Sequence, residues 1–533
     1  MPKKNDGVFL GFDSSTQSLK AIATDGNLGV VHEASVNFDA DLPEFKTSGG
    51  AHQGLDGLTV TAPPLMWVAA LDLLLGRMKK NGFDFGRVAA ISGSGQQHGS
   101  VWLNRKARGI LQNLDADKSL CAQLAGAFSV DASPIWMDSS TASQCKSLEK
   151  ALGGAQVVAD LTGSRAYERF TGNQIAKICQ TRKADYDVTD RIALVSSFVA
   201  SLLIGEYAPI DVSDGSGMNL LDIRSRRWAP AALEHTAPGL KKRLGTPVES
   251  HTVIGRLHGS FVKRYGFDKD CIVVAFSGDN PNSLAGLRLQ DPGDIAISLG
   301  TSDTMFGSVS NPIPSGREGH VFVSPIDPSA FMVMTVRKNG SLTREKVRDA
   351  CAGGSWRTFD AALRKTEAGN GGNISLHVDQ PEITPPLSRR GIYRRDGANR
   401  KVESFAPSAE IRAVVEGAFL SMRIHGAKIG FAPSGILATG GASANLEMMR
   451  IMSNVFGVPL YVGEQANSAA LGAAYRAMHG WICMKAGAFV NFSKALPRPT
   501  AFKKAAEPDK AASARYSSML ARYEQLEKEA ARG

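Results

Sequence analysis

The stretch AISLGTSDTMF, Ala296 to Phe306, passes from an apolar run through Gly300, Thr301, Ser302 and Asp303 and back into apolar residues. The pattern predicts two strands joined by a tight polar turn. Such a turn leaves backbone N–H groups and hydroxyls pointing outward, the arrangement that receives an anion such as a phosphate. A plain hairpin joining two core strands would carry the same residues. The stretch VFLGFDSSTQSLKAIATDGN, Val8 to Asn27, repeats the plan and adds a turn at Asp25 to Asn27. Two copies far apart in one chain predict two related lobes, each presenting a polar hairpin to a common cleft that takes a charge-rich ligand.

At 533 residues the chain exceeds what one hydrophobic core supports, and 43% apolar with 21% charged residues is ordinary for a folded soluble protein. Two large domains are expected. The 61 basic against 51 acidic side chains give a net charge of +10, but they are scattered, without an arginine-rich arm or zinc-finger spacing. This predicts a mild attraction for anions and no nucleic-acid partner. Cys121, Cys145, Cys179, Cys271, Cys351 and Cys483 are widely spaced with no CxxC pair, which predicts reduced thiols in the cytoplasm and neither a disulfide framework nor a zinc site. The start MPKKNDGVFLGFD enters a strand at once, unlike a secretory signal, and no apolar run is long enough to span a bilayer, so no membrane partner is expected.

Strands are expected over Val30–Phe38 and RVAAISGSG, and a helix over PPLMWVAALDLLLGRMKKNG, with prolines at its start and Gly82 past its end. This alternation belongs to an α/β domain, where ligands gather at the carboxyl ends of strands. A second cycle is expected to begin at the strand CIVVAFSGDN, continue through a helical stretch around Asn282–Leu289 and return as the hairpin at 296–306. The lobe boundary then falls between about Ser250 and Asp270, giving domains 1–260 and 261–490. Residues 491–533 form a helical tail with little chemistry. Residues 379–407, rich in Pro, Arg and Gly, read as an exposed excursion.

Several residues invite a chemical reading. Asp279 carries a carboxylate out of a buried strand onto a helix start, where it is either a helix cap or a proton acceptor. Asp13 sits at a strand end in the first lobe and suits a hydrated magnesium ion. His98, in GQQHGS beside Gln96 and Gln97, is either a structural hydrogen-bonder or part of a polyol pocket; Asp138, Arg169 and Asn173 are offered in the same spirit. Gly440 and Gly441 end a strand and open a helix, so the backbone can approach a flat ligand, unless they form a common turn capped by Ser443.

Together GSGQQHGS, WMDSST, LTGSRAYERFTGNQIAKI, SDGSGMNLL, FSGDNPNSLAG, SLGTSDT and ATGGASANLE, with DGLTVTAPPLMWVAALD, resemble the FGGY family of carbohydrate kinases, from about Val8 to His479. The resemblance implies an α/β chain with the two-lobed, duplicated actin-like ATPase (ribonuclease H-like) fold and a ligand cleft between the lobes. It implies transfer of the γ-phosphoryl group of ATP to a sugar hydroxyl, with ATP and Mg2+ required. The implied acceptor is D-xylulose, with another pentulose or polyol as the alternative. Asp279 matches the catalytic base and, with Asn280, a sugar contact; Gln97, His98, Asp138 and Arg169 complete the expected sugar site. Ser15, Thr16, Gly300, Thr301 and Ser302 match the phosphate hairpins, with Asp13 near the metal. Trp356, Gly440, Gly441 and Asn445 match the adenosine site. Ser15 stands where the family more often has glycine, so its side chain narrows the approach of phosphate unless its hydroxyl compensates.

On this reading Asp279 needs no large pKa shift, because the hydroxyl becomes acidic only late in the transfer. Closure of the lobes on the sugar would exclude water and restrain ATP hydrolysis. The partners are then a small sugar and ATP, the chain being a monomer or homodimer. Two rivals come from other classes: an actin-like nucleotide switch that phosphorylates no sugar, and a sugar-binding protein with vestigial catalysis. The His98, Asp138 and Arg169 segments weigh against the first, and Asp279 against the second.

Overall fold

Val8–Ser14 (β1) is buried along its whole length, as an apolar strand covered on both faces must be. It turns back through the hairpin at Ser15 into Ser18–Thr24 (β2), which pairs with Val30–Asn37 (β3), both junctions antiparallel. On its other side β1 pairs in parallel with Val88–Gly95 (β4). The sheet closes with Val253–Arg256 (β5) and Ile272–Val274 (β6), in the order β3-β2-β1-β4-β6-β5. The computed structural model describes residues 7–463, 467–496 and 502–532. By compactness the first unit comprises Met1–Gln290, Phe322–Ser329 and Asn467–Arg498, and the second comprises Asp291–Val321, Ala330–Ala466 and Pro499–Gly533.

The expected division near residue 260 cuts through this first sheet. β6 pairs in parallel with β4, Ile272 opposite Ala90 and Val273 opposite Ile91, and β5 pairs with β6. Placing β6 in the second lobe would strip the edge of β4 of its partner, so Asp279, just beyond β6, belongs to the same unit as Asp13. The helix expected around 282–289 runs from Asp279 to Gly286.

Two helices line this sheet. Pro64–Lys80 starts at a proline, ends at Asn81 before Gly82 with φ +78°, and buries Met66, Trp67, Leu71, Leu74, Leu75 and Met78 at helical spacing. Ser468–Ala486 returns from late in the chain and packs on β1 and on the Asp279 helix.

The second unit is built to the same plan. Asp294–Leu299 (β7) and Asp303–Val309 (β8) form the hairpin, Phe331–Arg337 (β9) continues it antiparallel, and Gly435–Thr439 (β10) and Leu460–Val462 (β11) extend β7 in parallel. With Lys503–Ala506 (β12) the order is β9-β8-β7-β10-β11-β12. The duplication expected from the two hairpins is therefore present in the connectivity of both sheets.

Two further expectations change. Within 379–407, Gly391–Arg395 forms a strand antiparallel to Ile374–Val378, and buried Glu382 accepts from the N–H groups of Lys338 and Asn339 at 2.6 and 3.0 Å. The stretch is thus partly structural. The terminal helix Lys510–Arg532 buries Tyr516, Tyr523 and Glu527, and Glu527 Oε2 meets His425 Nε2 at 2.8 Å. Among the described residues no helix is long and apolar enough to cross a membrane.

Candidate active site

Gly278, with extended backbone angles, hands the chain from the strand end to the helix that Asp279 opens. The half-buried Asp279 carboxylate accepts through Oδ1 from the Asn280 backbone N–H at 2.8 Å, from Asn280 Nδ2 at 3.1 Å and, at longer range, from the Gln97 N–H at 3.4 Å. Asn280 Nδ2 also donates to Gln97 Oε1 at 2.8 Å. These three residues form one hydrogen-bonded set where the ends of β4 and of the strand before Asp279 lie side by side. Buried Gln97 keeps Nε2 without a protein partner, and both polar atoms of buried Gln96 are likewise unpartnered among the described residues. A polyol offers donors and acceptors to such groups.

Burial first, and then the negative charge of Asp13, push the Asp279 pKa up to about 7. The mechanism needs no such shift, but the fold imposes one. The helix N-terminus and the hydrogen bonds from Asn280 and Gln97 favour the ionised form, but desolvation outweighs them.

Asp13, buried near the end of β1, accepts from Ser94 Oγ at 2.6 Å and faces Lys20 across the hairpin. Burial raises its pKa, while Ser94 and Lys20 oppose the rise. Its Oδ2 has no donor among the described residues. Magnesium dehydrates reluctantly and takes one or two carboxylates beside substrate phosphates, so a single acidic oxygen beside a polar hairpin turn fits it. No group of three acidic, His or Cys side chains forms an all-protein cage among the described residues.

In the first hairpin, Ser15 Oγ donates to the Ser18 carbonyl at 3.0 Å. The hydroxyl that stands where glycine is more usual is thus tied back into its own turn. Thr16 Oγ1 accepts from Trp136 Nε1 at 2.8 Å, which leaves its own proton free to donate.

His98 adopts φ +70°, stacks on Phe170 at 4.4 Å and donates from Nδ1 to the Gly217 carbonyl at 2.9 Å. Burial, assisted by the Arg169 charge, pushes its pKa down to about 3. The ring is neutral and Nε2 is left as an acceptor for a hydroxyl. Arg169 lies over the rings of Tyr167 and Phe170, at 5.1 and 5.8 Å.

Asp138 is spent on the protein itself. Its oxygens accept from Val60 N at 3.0 Å, Ser140 N at 2.9 Å, Ser140 Oγ at 2.5 Å and Gln174 Nε2 at 2.8 Å. It clamps its loop to a strand and to the helix Thr171–Thr181, three donors meeting Oδ1 and one, Val60 N, meeting Oδ2. Asn173 is similarly engaged, donating to Tyr167 O at 2.9 Å and Asn219 Oδ1 at 3.3 Å.

In the second unit a cavity of about 450 Å³ is lined by Gly300, Ser341, Trp356, Asp360, Gly441 and Asn445, among others. The Gly300–Ser302 turn is pressed against the start of the helix Ser341–Ala352: Ser341 N donates to Gly300 O at 2.8 Å, and a Cβ on Gly340 would lie 2.6 Å from Thr301 O. Behind the turn, Asp303 and Arg344 form a buried two-pronged ion pair at 2.7 and 2.9 Å. Thr301 is exposed and Ser302 half-buried. Gly440 has φ +82°, and a Cβ there would sit 2.6 Å from Leu299 O, so the second strand end must carry glycine. Ser443, the cap in the alternative reading of this turn, bonds back to Gly440 O at 2.7 Å; Asn445 caps the helix Leu446–Phe456 through Met448 N.

The expected residues thus fall into two groups. Asp13, Ser15, Thr16, Gln97, His98, Arg169, Asp279 and Asn280 belong to the first unit, and Gly300 to Ser302, Trp356, Gly440, Gly441 and Asn445 to the second. Sequence reading missed Ser94, Arg344 and Asp360. Only Asp360 left a signal, four residues after Trp356 and therefore on the same helical face.

The FGGY family of carbohydrate kinases matches twice: its N-terminal domain over residues 130–286 and its C-terminal domain over 295–481. The seam between the matches contains the first crossing between the units, at Gln290 and Asp291, while the C-terminal match also takes in Phe322–Ser329 and residues 467–481 of the first unit. The chain is 51% identical over 521 residues to the xylulose kinase of Mus musculus, covering 97% of this chain and 93% of that protein. It is 50% identical over 502 residues to xylulose kinase 2 of Arabidopsis thaliana, covering 92% and 90%. The crystal structure of xylulose kinase from Rhodospirillum rubrum superposes with a TM-score of 0.79 over 97% of this chain and 98% of that one, at 17% identity. The two-domain architecture is that of the actin-like ATPase-type kinases.

Proposed function

The chain belongs to the FGGY family of carbohydrate kinases, and on that footing we propose that it transfers the γ-phosphoryl group of ATP to D-xylulose, giving D-xylulose 5-phosphate. The observation that carries the chemistry is the set Asp279, Asn280 and Gln97: a carboxylate poised near neutrality, joined to amides that retain unpartnered polar atoms.

Phosphoryl transfer asks the protein mainly for positioning and charge stabilisation. Gln97, Asn280, neutral His98 and Arg169 hold the hydroxyls of the sugar. Asp279 takes the proton of the accepting hydroxyl as the new O–P bond forms. The cavity of the second unit takes the nucleoside, and the Gly300–Ser302 turn with the N–H groups at the start of the helix Ser341–Ala352 takes phosphate oxygens. Asp13 holds Mg2+, which when bound neutralises phosphate charge. Thr16 donates to phosphate, while Ser15 serves only its own turn.

The test is a panel of pentuloses, polyols and hexoses with MgATP, run on the intact protein and on Asp279→Asn. D-xylulose is expected to be the best acceptor, with the variant about 10²- to 10⁴-fold slower. A better acceptor among the others replaces the named sugar, and ATP turnover indifferent to every sugar favours a nucleotide switch.

A further inference from the structure

Asn445, expected to contact adenosine, has both ends of its side-chain amide engaged by protein. Its Oδ1 accepts from Met448 N at 3.0 Å to cap the helix Leu446–Phe456, and this fixes the amide's orientation. Its Nδ2 then points to Asp360 Oδ1 at 2.5 Å. Both residues line the 450 Å³ cavity. Asp360 Oδ2 has no donor among the described residues. Asp360 stands one turn after Trp356 on the helix Trp356–Lys365, so both side chains share a face. Arg348 already covers one face of the Trp356 ring, its guanidinium carbon 4.7 Å from the ring centre, and Phe359 meets the ring edge-on at 5.2 Å. The remaining ring face and the carboxylate are what this part of the wall offers a ligand.

We propose that Asp360 is a nucleotide-binding residue of this cavity, its Oδ2 accepting a hydrogen bond from a donor of the nucleoside, while Asn445 acts as a positioning residue that holds the carboxylate in place. An ionised carboxylate is acceptor-only, so it selects a ligand that brings a proton: a ribose hydroxyl or an N–H on the edge of the base. A flat base against Trp356 places either source within the same cavity. The proposal rests on the kinase reading only for the identity of the nucleotide.

Asp360→Asn is the sharpest variant, because its amide oxygen can keep the Asn445 contact while the group facing the cavity turns from acceptor into donor. MgADP binding is measured by calorimetry, and KM by steady-state kinetics with ATP, 2′-deoxy-ATP, 3′-deoxy-ATP and purine riboside triphosphate, which lacks the 6-amino group. Asp360→Asn is expected to weaken MgADP about tenfold or more, the worth of a hydrogen bond to a charged group, with the KM for the sugar unchanged. One of the three analogues should lose a similar factor with the intact protein and lose nothing further with the variant; which one does so identifies the donor. MgADP binding unchanged in both Asp360→Asn and Asp360→Ala overturns the proposal. So does an intact protein that treats all three analogues as it treats ATP, a result that needs no variant to fold. If no sugar is phosphorylated, the kinase reading falls while the MgADP titration still decides the role of Asp360.

Discussion

Gly472 and Asn282 meet with no room for a side chain between them: a Cβ on the glycine would lie 1.8 Å from the Asn282 carbonyl oxygen. The same long helix, Ser468–Ala486, also closes on β1, where a Cβ on Gly11 would lie 2.2 Å from Ala470 O. One helix thus holds the strand that carries Asp13 and the short helix that carries Asp279. Arg476 reinforces the arrangement, donating to Asn282 Oδ1 at 3.0 Å and pairing with buried Asp211 at 3.1 Å.

Gly472→Ala is therefore expected to force the Asp279 helix outward. Overpacking of this kind costs about 1–3 kcal/mol, and a displacement of ~1 Å at a reacting group can cost ~10²-fold in rate. Turnover number should fall, with the KM for ATP unchanged because the cavity proposed to take the nucleoside lies in the other unit. A variant with normal kcat and a normal melting temperature would show that the contact relaxes freely.

The raised pKa of Asp279 sets a pH dependence. In its proposed role as general base Asp279 works deprotonated, and burial has lifted its pKa to about 7, so kcat/KM for the sugar should climb with pH through neutrality and level off above it. Below the midpoint the slope is about tenfold per pH unit. A profile already flat from pH 5.5 upward would place the carboxylate back in the ordinary range.

Asp303 and Arg344 are both almost wholly buried, and removing one charge from such a pair leaves the other uncompensated. Asp303→Asn is expected to cost about 3–5 kcal/mol, read as a lower denaturant midpoint for the second unit. Because the pair lies behind the Gly300–Ser302 turn, the KM for ATP should rise while the KM for the sugar stays put. Equal rises in both would point to general unfolding.

His425 lies between Glu318 and Glu527, 2.7 and 2.8 Å from their carboxylates. Burial alone would lower its pKa, but the two acids raise it from 6.5 to about 9. Its contribution to stability is therefore complete below pH 6.5 and is lost as pH rises through 9. Chemical unfolding at pH 6, 7.5 and 9.5 should show the second unit weakening across that window. His425→Gln should flatten the trend; an unchanged trend in the variant would assign it elsewhere.

The hairpins were legible because a polar turn between apolar runs is a local signal, and both β1–β2 and β7–β8 appear where that signal predicts them. The strand leading to Asp279 was legible as a strand but not as a member of the first sheet. Its partner β4 lies far back in the chain, and parallel pairing leaves no local mark. Asp138 read as a sugar contact in the same spirit as His98 and from the family resemblance, and what the sequence did not show is that Val60, Ser140 and Gln174 donate to it. Asn445 read as an adenosine contact, and the cavity shows Asp360 beside it.

The amino-acid order by itself determined the kind of elements, the duplication and the residue types available for chemistry, since apolar spacing and turn chemistry act between near neighbours. Which carboxylates remain free, which are consumed as clamps, and how far burial shifts Asp279 were decided by the folded molecule alone. Desolvation and hydrogen-bond saturation depend on groups that arrive from distant parts of the chain, and only their packing together fixes the electrostatics of the site.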